Sequence, residues 1–189
     1  MANDNKKCLL NKGLTREDVC GYSLKQINEI YLANYSDVET TISPDEADGY
    51  TVKSITGTAK WYKFEPAKDT SSYNDDLVVG GNGSKYRTHT MTFSFNGSYN
   101  AGVAEVLDKL SLGKFVAVLK LSDDTAIMLG RLTGLEASAA SSLSEAAADG
   151  QNGITVTLEC NTVEPALPVD KTALTSIVAA SKEDEGEGA

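Results

Sequence analysis

Regular alternation of apolar and polar residues predicts that this chain is built mainly of β-strands. Residues Gln26–Ala33 alternate with a period of two, and Tyr86–Asn96 does so most regularly. The segment Tyr50–Phe64 is rich in Thr, Val, Ile and aromatic residues, which pack well on a pleated sheet. Ile154–Cys160 repeats the alternation towards the C-terminal end. Each of these four segments is predicted to form a strand.

One helix and one hairpin are predicted in the middle of the chain. Residues Ala101–Leu112 carry apolar side chains three or four positions apart, which is typical of a single buried helix face, and Gly113 is a natural end for it. Lys114–Ser122 and Thr125–Arg131 then predict a hairpin around a short acidic turn. Because Phe115–Leu119 is apolar on both faces, the first of these strands is predicted to be central and covered on both sides.

The segments between these elements are predicted to be loops. Pro66–Ser84 is polar and contains several glycines, so we expect a long loop between two strands. Glu136–Asn152 is rich in Ala and Ser and is predicted to be a loop with at most a short helix at Ser142–Ala148. Pro165 and Pro168 are expected to end regular structure.

The organisation predicted from these patterns is one β-domain with two extended ends. Residues 1–23 form an N-terminal arm, 24–169 the β-domain with 66–84 as its extended loop, and 170–189 a C-terminal helix followed by an acidic, disordered tail. The helix at Asp170–Ala180 has Leu174, Ile177 and Val178 along one edge. The predicted fold class is mainly β, an antiparallel β-sandwich or barrel with one packed α-helix.

The charge of the chain argues against a nucleic-acid-binding surface. There are 17 basic and 27 acidic residues, a net charge of −10, and the basic residues form no stripe. Phosphate contacts need clustered cations, whereas an acidic surface suits a wall that DNA slides past. Acidity that serves solubility alone is the simpler alternative. No apolar run is long enough to span a membrane, and the N-terminal residues do not resemble a secretory signal, so we expect a cytoplasmic origin and no membrane partner.

Residue types that carry catalysis are sparse and stand in contexts that favour structural roles. His89 is the only histidine and is predicted to lie on the surface or in an edge strand. Gly80–Lys85 resembles a phosphate loop, but a strand rather than a helix follows it, so it is predicted to be a hairpin tip. Three acidic pairs are predicted to lie in turns, namely Asp45/Asp48, Asp75/Asp76 and Asp123/Asp124.

The remaining candidates for a chemical site are the cysteines and one aromatic cluster. The three cysteines, Cys8, Cys20 and Cys160, fit neither a disulfide framework nor a zinc site, and Cys160 is expected in the core. The aromatic residues Trp61, Tyr62 and Phe64 favour core packing over a stacking platform. We therefore expect no enzyme, no metal and no cofactor.

Several strings in the chain resemble phage tail tube proteins, of the type found in phages and prophages of Bacteroidales-type bacteria. The strings are Gln26–Val38, Leu129–Leu135, Asp149–Leu158 and Pro165–Pro168, and the likeness extends over about Cys8 to Val169. The resemblance implies a structural virion protein assembled in the host cytoplasm. In that family, hexameric rings stack into a tube, and inner strands form a continuous barrel around an often acidic lumen that double-stranded DNA passes through.

The resemblance also implies partners and contact residues. Partners would be copies of this chain and other tail or virion proteins, and the segment 66–84 would reach the adjacent ring. The acidic residues after Lys182 do not map onto the family, which leaves a tail terminator or hub ring open. The candidate inter-subunit contact residues are Tyr73, Leu77, Val78, Val79, Leu9, Leu10, Leu174 and Ile177.

Two other functions remain open from the sequence. A capsid decoration protein or a carbohydrate-binding β-sandwich is suggested by Trp61, Tyr62 and Tyr73. A hydrolase would have to use Asp75 and Asp76 or His89.

Overall fold

Eleven strands and three helices make up the described part of the chain, residues 25–38, 42–44, 50–55, 59–96, 99–144 and 152–182 of a computed structural model. The strands are β1 (Ile27–Asn34), β2 (Ile42–Pro44), β3 (Val52–Ile55), β4 (Tyr62–Phe64), β5 (Ser72–Val79), β6 (Lys85–Asn96), β7 (Lys114–Leu121), β8 (Ala126–Leu129), β9 (Leu135–Ser144), β10 (Asn152–Thr162) and β11 (Leu167–Val169). The helices are α1 (Tyr35–Val38), α2 (Ala101–Leu112) and α3 (Lys171–Lys182).

All the strands belong to one mixed sheet. Its order is β2-β3-β11-β8-β7-β9-β10-β6-β5, with β1 along the other edge of β7 and β4 beyond β1. Neighbouring strands are antiparallel except β11 and β3, which run parallel. The prediction of a mainly β fold is confirmed.

The pair β1–β7 lies at the centre of the molecule and is covered on both faces. One face packs against α3 and Trp61. The other face packs against the inward side chains of β6 and β10 and against Leu110 of α2. Residues Val116 to Leu119 are fully buried because alternate side chains enter opposite cores. The prediction of a central, doubly covered strand here is confirmed.

Both long helices begin with a side-chain cap. The Asn100 side chain accepts a hydrogen bond from the backbone N–H of Val103 at 3.0 Å, and the Asp170 carboxylate accepts from the N–H of Thr172 at 2.8 Å. Such caps satisfy backbone donors that a first helical turn leaves free. The helix predicted at about 101–112 is confirmed, and the C-terminal helix extends to Lys182.

The segment predicted as the loop Pro66–Ser84 contains an eight-residue strand, so that prediction is wrong for Ser72–Val79. β5 pairs with β6 in unbroken register from Ser72↔Thr92 to Val79↔Lys85. Of the inward-facing side chains of β5, only Tyr73 and Asp75 are half-buried, and Asp75 is acidic. The strand therefore lacks the alternation of apolar and polar residues from which a core-facing strand is predicted. Asp75 and Asp76 consequently lie within a strand, and their prediction as turn residues is wrong.

The loop predicted at Glu136–Asn152 is also wrong, because its first part is strand β9. β9 pairs with β10 from Asn152↔Ser144 to Glu159↔Glu136, with one bulge. The hydrogen bonds between paired strands are made by the backbone, so small Ala and Ser side chains are compatible with a strand. They do not produce the apolar alternation from which a strand is predicted. Residues 145–151 lie outside the described part of the chain.

Two predicted boundaries change as well. The long strand Tyr50–Phe64 is replaced by β3 and β4, which pair with different neighbours. Pro168 lies inside β11, opposite Ile127, rather than ending regular structure. The N-terminal arm and the turn at Asp48 lie outside the described residues.

Candidate assembly surface

The sheet β5-β6-β10-β9 has an outer face covered mainly with small hydroxyl side chains. Alternation along β6 turns Met91 and Phe93 inward, so the residues between them point away from the core. Cross-strand hydrogen bonds tie this face together, with Thr92 to Thr157 at 3.1 Å and Ser94 to Thr155 at 2.7 Å. We call this the hydroxyl face, defined by Ser72, Asn74, Asp76, Thr88, Thr90, Thr92, Ser94, Thr155, Thr157, Glu159 and Asn161. Val78 and Tyr86, near the hairpin turn, point to the same side of the sheet.

Its charged groups are acidic. Asp76 and Glu159 belong to it, and Glu136 of β9 lies directly opposite Glu159. The basic residues of β6 are Lys85 and Arg87, and both point to the opposite side of the sheet because side chains alternate along a strand. At the margin, Lys114 of β7 forms an ion pair with Glu136 at 3.1 Å. The four strands therefore place carboxylates and hydroxyls, but none of their own cations, on this described face.

The same four strands leave two open edges. β5 has no partner on its outer side among the described residues, and β9 pairs with β7 only at Leu135 and Glu136. Unpaired backbone groups on an edge strand are a ready template for another strand. Since each of the four strands is antiparallel to its neighbour, β5 and β9 are antiparallel to each other. An edge of one copy therefore has the correct direction to continue the sheet of another.

The tip of the β5–β6 hairpin projects beyond the rest of the sheet. β10 ends opposite Arg87, so nothing described pairs with β6 on that side beyond this point. The turn is closed by the N–H of Gly80 to the carbonyl of Ser84 at 2.8 Å, with Gly83 at φ +82, a conformation that favours glycine. The hairpin-tip prediction is confirmed, and its side chains Leu77 and Val79 are 61% and 59% exposed.

A polar network anchors this hairpin. One oxygen of the Asp75 carboxylate accepts from the Arg87 guanidinium at 2.9 Å, and the other accepts from the N–H of Ala166 at 3.0 Å. Burial opposes ionisation of Asp75, but these hydrogen bonds and the Arg87 charge leave its pKa below the ordinary value. β5 is thereby tied to β6 and to the segment that leads into β11.

His89 is buried, so its prediction as a surface or edge residue is wrong. It is 2% exposed, and its Nδ1 accepts the N–H of Gly130 at 3.3 Å. Its Nε2 lies 3.6 Å from Asp75, too far for a hydrogen bond, and has no partner in the described structure. Burial lowers the pKa of His89, which favours the neutral form of the ring.

Asp75, His89 and Cys160 occupy one row across β5, β6 and β10, which invites comparison with a nucleophile–base pair. The geometry does not support that reading. One ring nitrogen of His89 faces Gly130 and the other faces Asp75, so none is directed to the thiol. Burial also raises the pKa of Cys160, which disfavours the reactive thiolate. In this row, His89 and Cys160 are packed in the interior, and Asp75 anchors the hairpin.

The other candidate residues fall into three groups. Tyr73 and Val78 are half-buried in the hairpin, whereas Leu174 and Ile177 are buried within the subunit's own core. Leu9 and Leu10 lie outside the described residues.

Trp61 is buried in the core, as its packing interpretation predicted, and so offers no platform for a sugar. None of the described helices is both long and apolar enough to cross a membrane.

Sequence reasoning missed the open edge of β9 and the anchoring network. Arg131 makes a bidentate ion pair with Glu164, the shorter contact being 2.6 Å, beside the Asp75 network. The four residues of these two ion pairs are separated in the sequence and form no recognisable motif. They are Asp75, Arg87, Arg131 and Glu164. Among the described residues, no group of three His, Cys, Asp or Glu could hold a metal ion.

Comparison with known proteins adds no relative. No family model, curated protein or solved structure matches this chain. The hydroxyl face, the two open edges and the hairpin tip are therefore the features from which a function has to be inferred.

Proposed function

We propose that this chain is a structural subunit of a phage tail tube or a related virion ring, through which DNA passes without specific binding. The observation that carries the proposal is the hydroxyl face, a broad sheet surface with carboxylates and no cations from its own strands. Such a face suits the wall of a DNA channel, because its carboxylates repel phosphate and most of its other side chains are small and neutral.

The open edges support closure into a ring. β9 of one copy can pair antiparallel with β5 of the next, so that each copy contributes four strands to a continuous barrel. Because the two edges differ, this contact is head-to-tail and closes a ring when the rotation per copy is a whole fraction of a turn. The family resemblance sets the expected number at six copies.

Electron microscopy of the purified full chain tests this proposal directly. We expect rings or tubes of constant bore by negative stain, and a mass by light scattering that corresponds to a closed oligomer. A chain that stays monomeric across a wide range of concentrations and salt would overturn the proposal.

Two single proline variants in β9, Ala139→Pro and Ala140→Pro, test the edge contact. The two residues are consecutive, so the N–H of one points to β10 and the N–H of the other points to the open edge. Proline removes the N–H, so we expect one variant to lose stability and the other to fold but not form rings. Circular dichroism and thermal unfolding identify the folded variant. Rings from that folded variant would exclude pairing through β9.

A further inference from the structure

Helix α2 leaves much of its apolar surface uncovered by the rest of the described subunit. The sequence predicts one buried apolar face for this helix, but Val106 is 44% exposed and only Leu110 is buried. Leu112, at the end of the helix, is 82% exposed. Uncovered apolar surface of this kind is typical of a place where another segment or molecule binds.

Two apolar clefts lie along this helix. The cleft along its N-terminal half has a volume of about 380 Å³ and lies against Phe95 of β6 and Ile154 of β10. The cleft along its C-terminal half has a volume of about 550 Å³ and lies against β4 and the end of β1. Phe64, Val106 and Leu110 line both clefts, so we treat the two as one feature, the α2 groove.

Only one segment outside the described part of the chain has large apolar side chains that match this groove. Residues 1–24 contain the run Cys8–Leu10, followed by Leu14 and Val19. The other ranges outside the described part consist of polar residues, Gly and Ala; they are 39–41, 45–49, 56–58, 97–98, 145–151 and 183–189. Within this chain, the N-terminal segment 1–24 is therefore the suitable occupant.

This segment is long enough to reach the α2 groove of its own subunit. Lys25 lies beside the β7–β8 turn, where it forms an ion pair with Asp123 at 3.1 Å. From there, β1 leads to Asn34, which lines the groove, over about 30 Å at the usual rise per residue. The chain from Leu10 to Lys25 spans up to about 50 Å when extended, so it covers this distance with length to spare.

The charges beside the groove also match the segment. Lys6 and Lys7 immediately precede the apolar run. On α2, Asp108 lines the groove, whereas its neighbour Lys109 is paired with Glu105 at 2.6 Å. The helix thus offers a carboxylate at the groove to a segment that carries two cations next to its leucines.

We propose that the N-terminal segment folds back along β1 and places Leu9 and Leu10 in the α2 groove of its own subunit, with Lys6 and Lys7 beside Asp108. A tethered segment acts at a high effective concentration, so it covers the groove in the single subunit, before any assembly. This inference does not depend on the ring function. It assigns the two leucines a contact within the subunit instead of the contact between subunits that the family resemblance implies.

Cysteine cross-linking tests this contact in the full chain. Leu9→Cys and Val106→Cys are combined in a background with Cys8 and Cys20 changed to Ser, while the buried Cys160 is retained. Mild oxidation of a dilute sample should link the two positions within one chain. The product is a single chain that migrates faster on a non-reducing gel and returns to its normal position after reduction.

The matched control combines Leu9→Cys with Val163→Cys. Val163 is more exposed than Val106, but it follows β10 at the end opposite to Ile154 and does not line the groove. A docked segment should therefore link to position 163 far more slowly than to position 106. Circular dichroism of both double variants verifies that they are folded.

Charged substitutions in the segment test whether it covers the groove. Leu9→Asp with Leu10→Asp should keep the wild-type circular dichroism, because the described core does not include these residues. The variant should raise the fluorescence of the apolar dye Nile red several-fold and lose hydrogen-exchange protection of the α2 amides. Asn3→Asp with Asn5→Asp makes the same change in net charge within the segment and should leave both readouts unchanged.

Each outcome decides the contact. Fast-migrating single chains, together with higher dye fluorescence of the leucine variant, support it. A ladder of linked chains would show that the segment enters the groove of another copy, and it overturns the contact within the subunit. Equal linking to positions 106 and 163, or unchanged dye fluorescence, overturns docking in the groove. The ring function is measured separately by microscopy and stands or falls independently of these results.

Discussion

Asp75 is the residue on which the position of the β5–β6 hairpin depends most directly. Its carboxylate joins three parts of the molecule: its own strand, Arg87 on β6 and the backbone before β11. Its neighbour Asp76 points to the hydroxyl face and is exposed. Two adjacent carboxylates therefore have different roles, and the strand pleat decides which is which.

Asp75→Asn should reduce the free energy of unfolding by about 1–3 kcal/mol, the range for hydrogen bonds to a charged group. The amide keeps the shape of the carboxylate but gives up the charge that faces Arg87. Urea unfolding monitored by circular dichroism measures the change. Asp76→Asn is the matched control and should change stability by less than about 0.5 kcal/mol. Equal effects of the two substitutions would contradict an anchoring role for Asp75.

His89 should make the protein less stable as the pH falls from 7 to 5. Burial lowers the pKa of His89 in the folded state, so the unfolded chain binds the proton more tightly. Its contribution is therefore complete above the unfolded value, near 6.5, and is lost below it, by up to about 1.4 kcal/mol per pH unit. It is the only histidine, and the carboxylates with lowered pKa values, such as Asp75, lose their contribution at lower pH.

Urea unfolding at pH 7, 6 and 5 measures this dependence. His89→Gln, which keeps an acceptor for the N–H of Gly130, should flatten the pH profile over this interval. A wild-type profile that matches that of the variant would show that His89 titrates normally.

At the scale of elements, a close approach of β10 to β6 fixes how the hydroxyl face is assembled. Gly153 lies opposite Asn96 at the start of the pairing between these strands. A Cβ atom there would stand 2.4 Å from the carbonyl oxygen of Phe95, which is backbone and cannot rotate away. The register of the two strands therefore depends on a glycine at this position.

Gly153→Ala should cost about 2 kcal/mol or more of unfolding free energy, because the strand has to move to admit the methyl group. Gly81→Ala in the hairpin turn is the matched control, since a Cβ there meets nothing within 4 Å. Thermal unfolding of both variants gives the comparison. Wild-type stability of Gly153→Ala would mean that β10 tolerates displacement from β6.

At the scale of the whole molecule, charge is distributed so that the hydroxyl face lacks cations of its own strands while Lys85 and Arg87 lie on the other side of the sheet. The chain has a net charge of −10, but this total does not indicate which surface repels phosphate. The strand pairings supply that information, because they bring Asp76 and Glu159 to the same face.

Placing lysines on this face should create DNA binding. The double variant Asp76→Lys and Glu159→Lys adds two cations among hydroxyls that can also contact phosphate. We expect measurable binding of duplex DNA by fluorescence anisotropy, weakening steeply with salt, whereas wild type binds none. The control, Glu105→Lys with Asp108→Lys on α2, makes the same change in net charge. Equal binding by both variants would show that net charge, rather than this face, governs contact with DNA.

The sequence by itself determined the elements whose side chains carry a strong local pattern. Residues 101–112 were predictable as a helix because their apolar spacing and the cap at Asn100 are both local. β1, β6, β7 and β10 were predictable because each turns an apolar face to a core. The mainly β class follows from these elements, and the acidic balance follows from composition.

Only the tertiary structure decided the features on which the proposed surface depends. β5 and β9 lack an apolar alternation, since a strand of small or polar residues is held by backbone hydrogen bonds to its neighbour. The burial of His89 depends on Asp75 and Gly130, which contact it from distant parts of the chain. The hydroxyl face arises in the same way, because a face exists only once separate strands are paired in register.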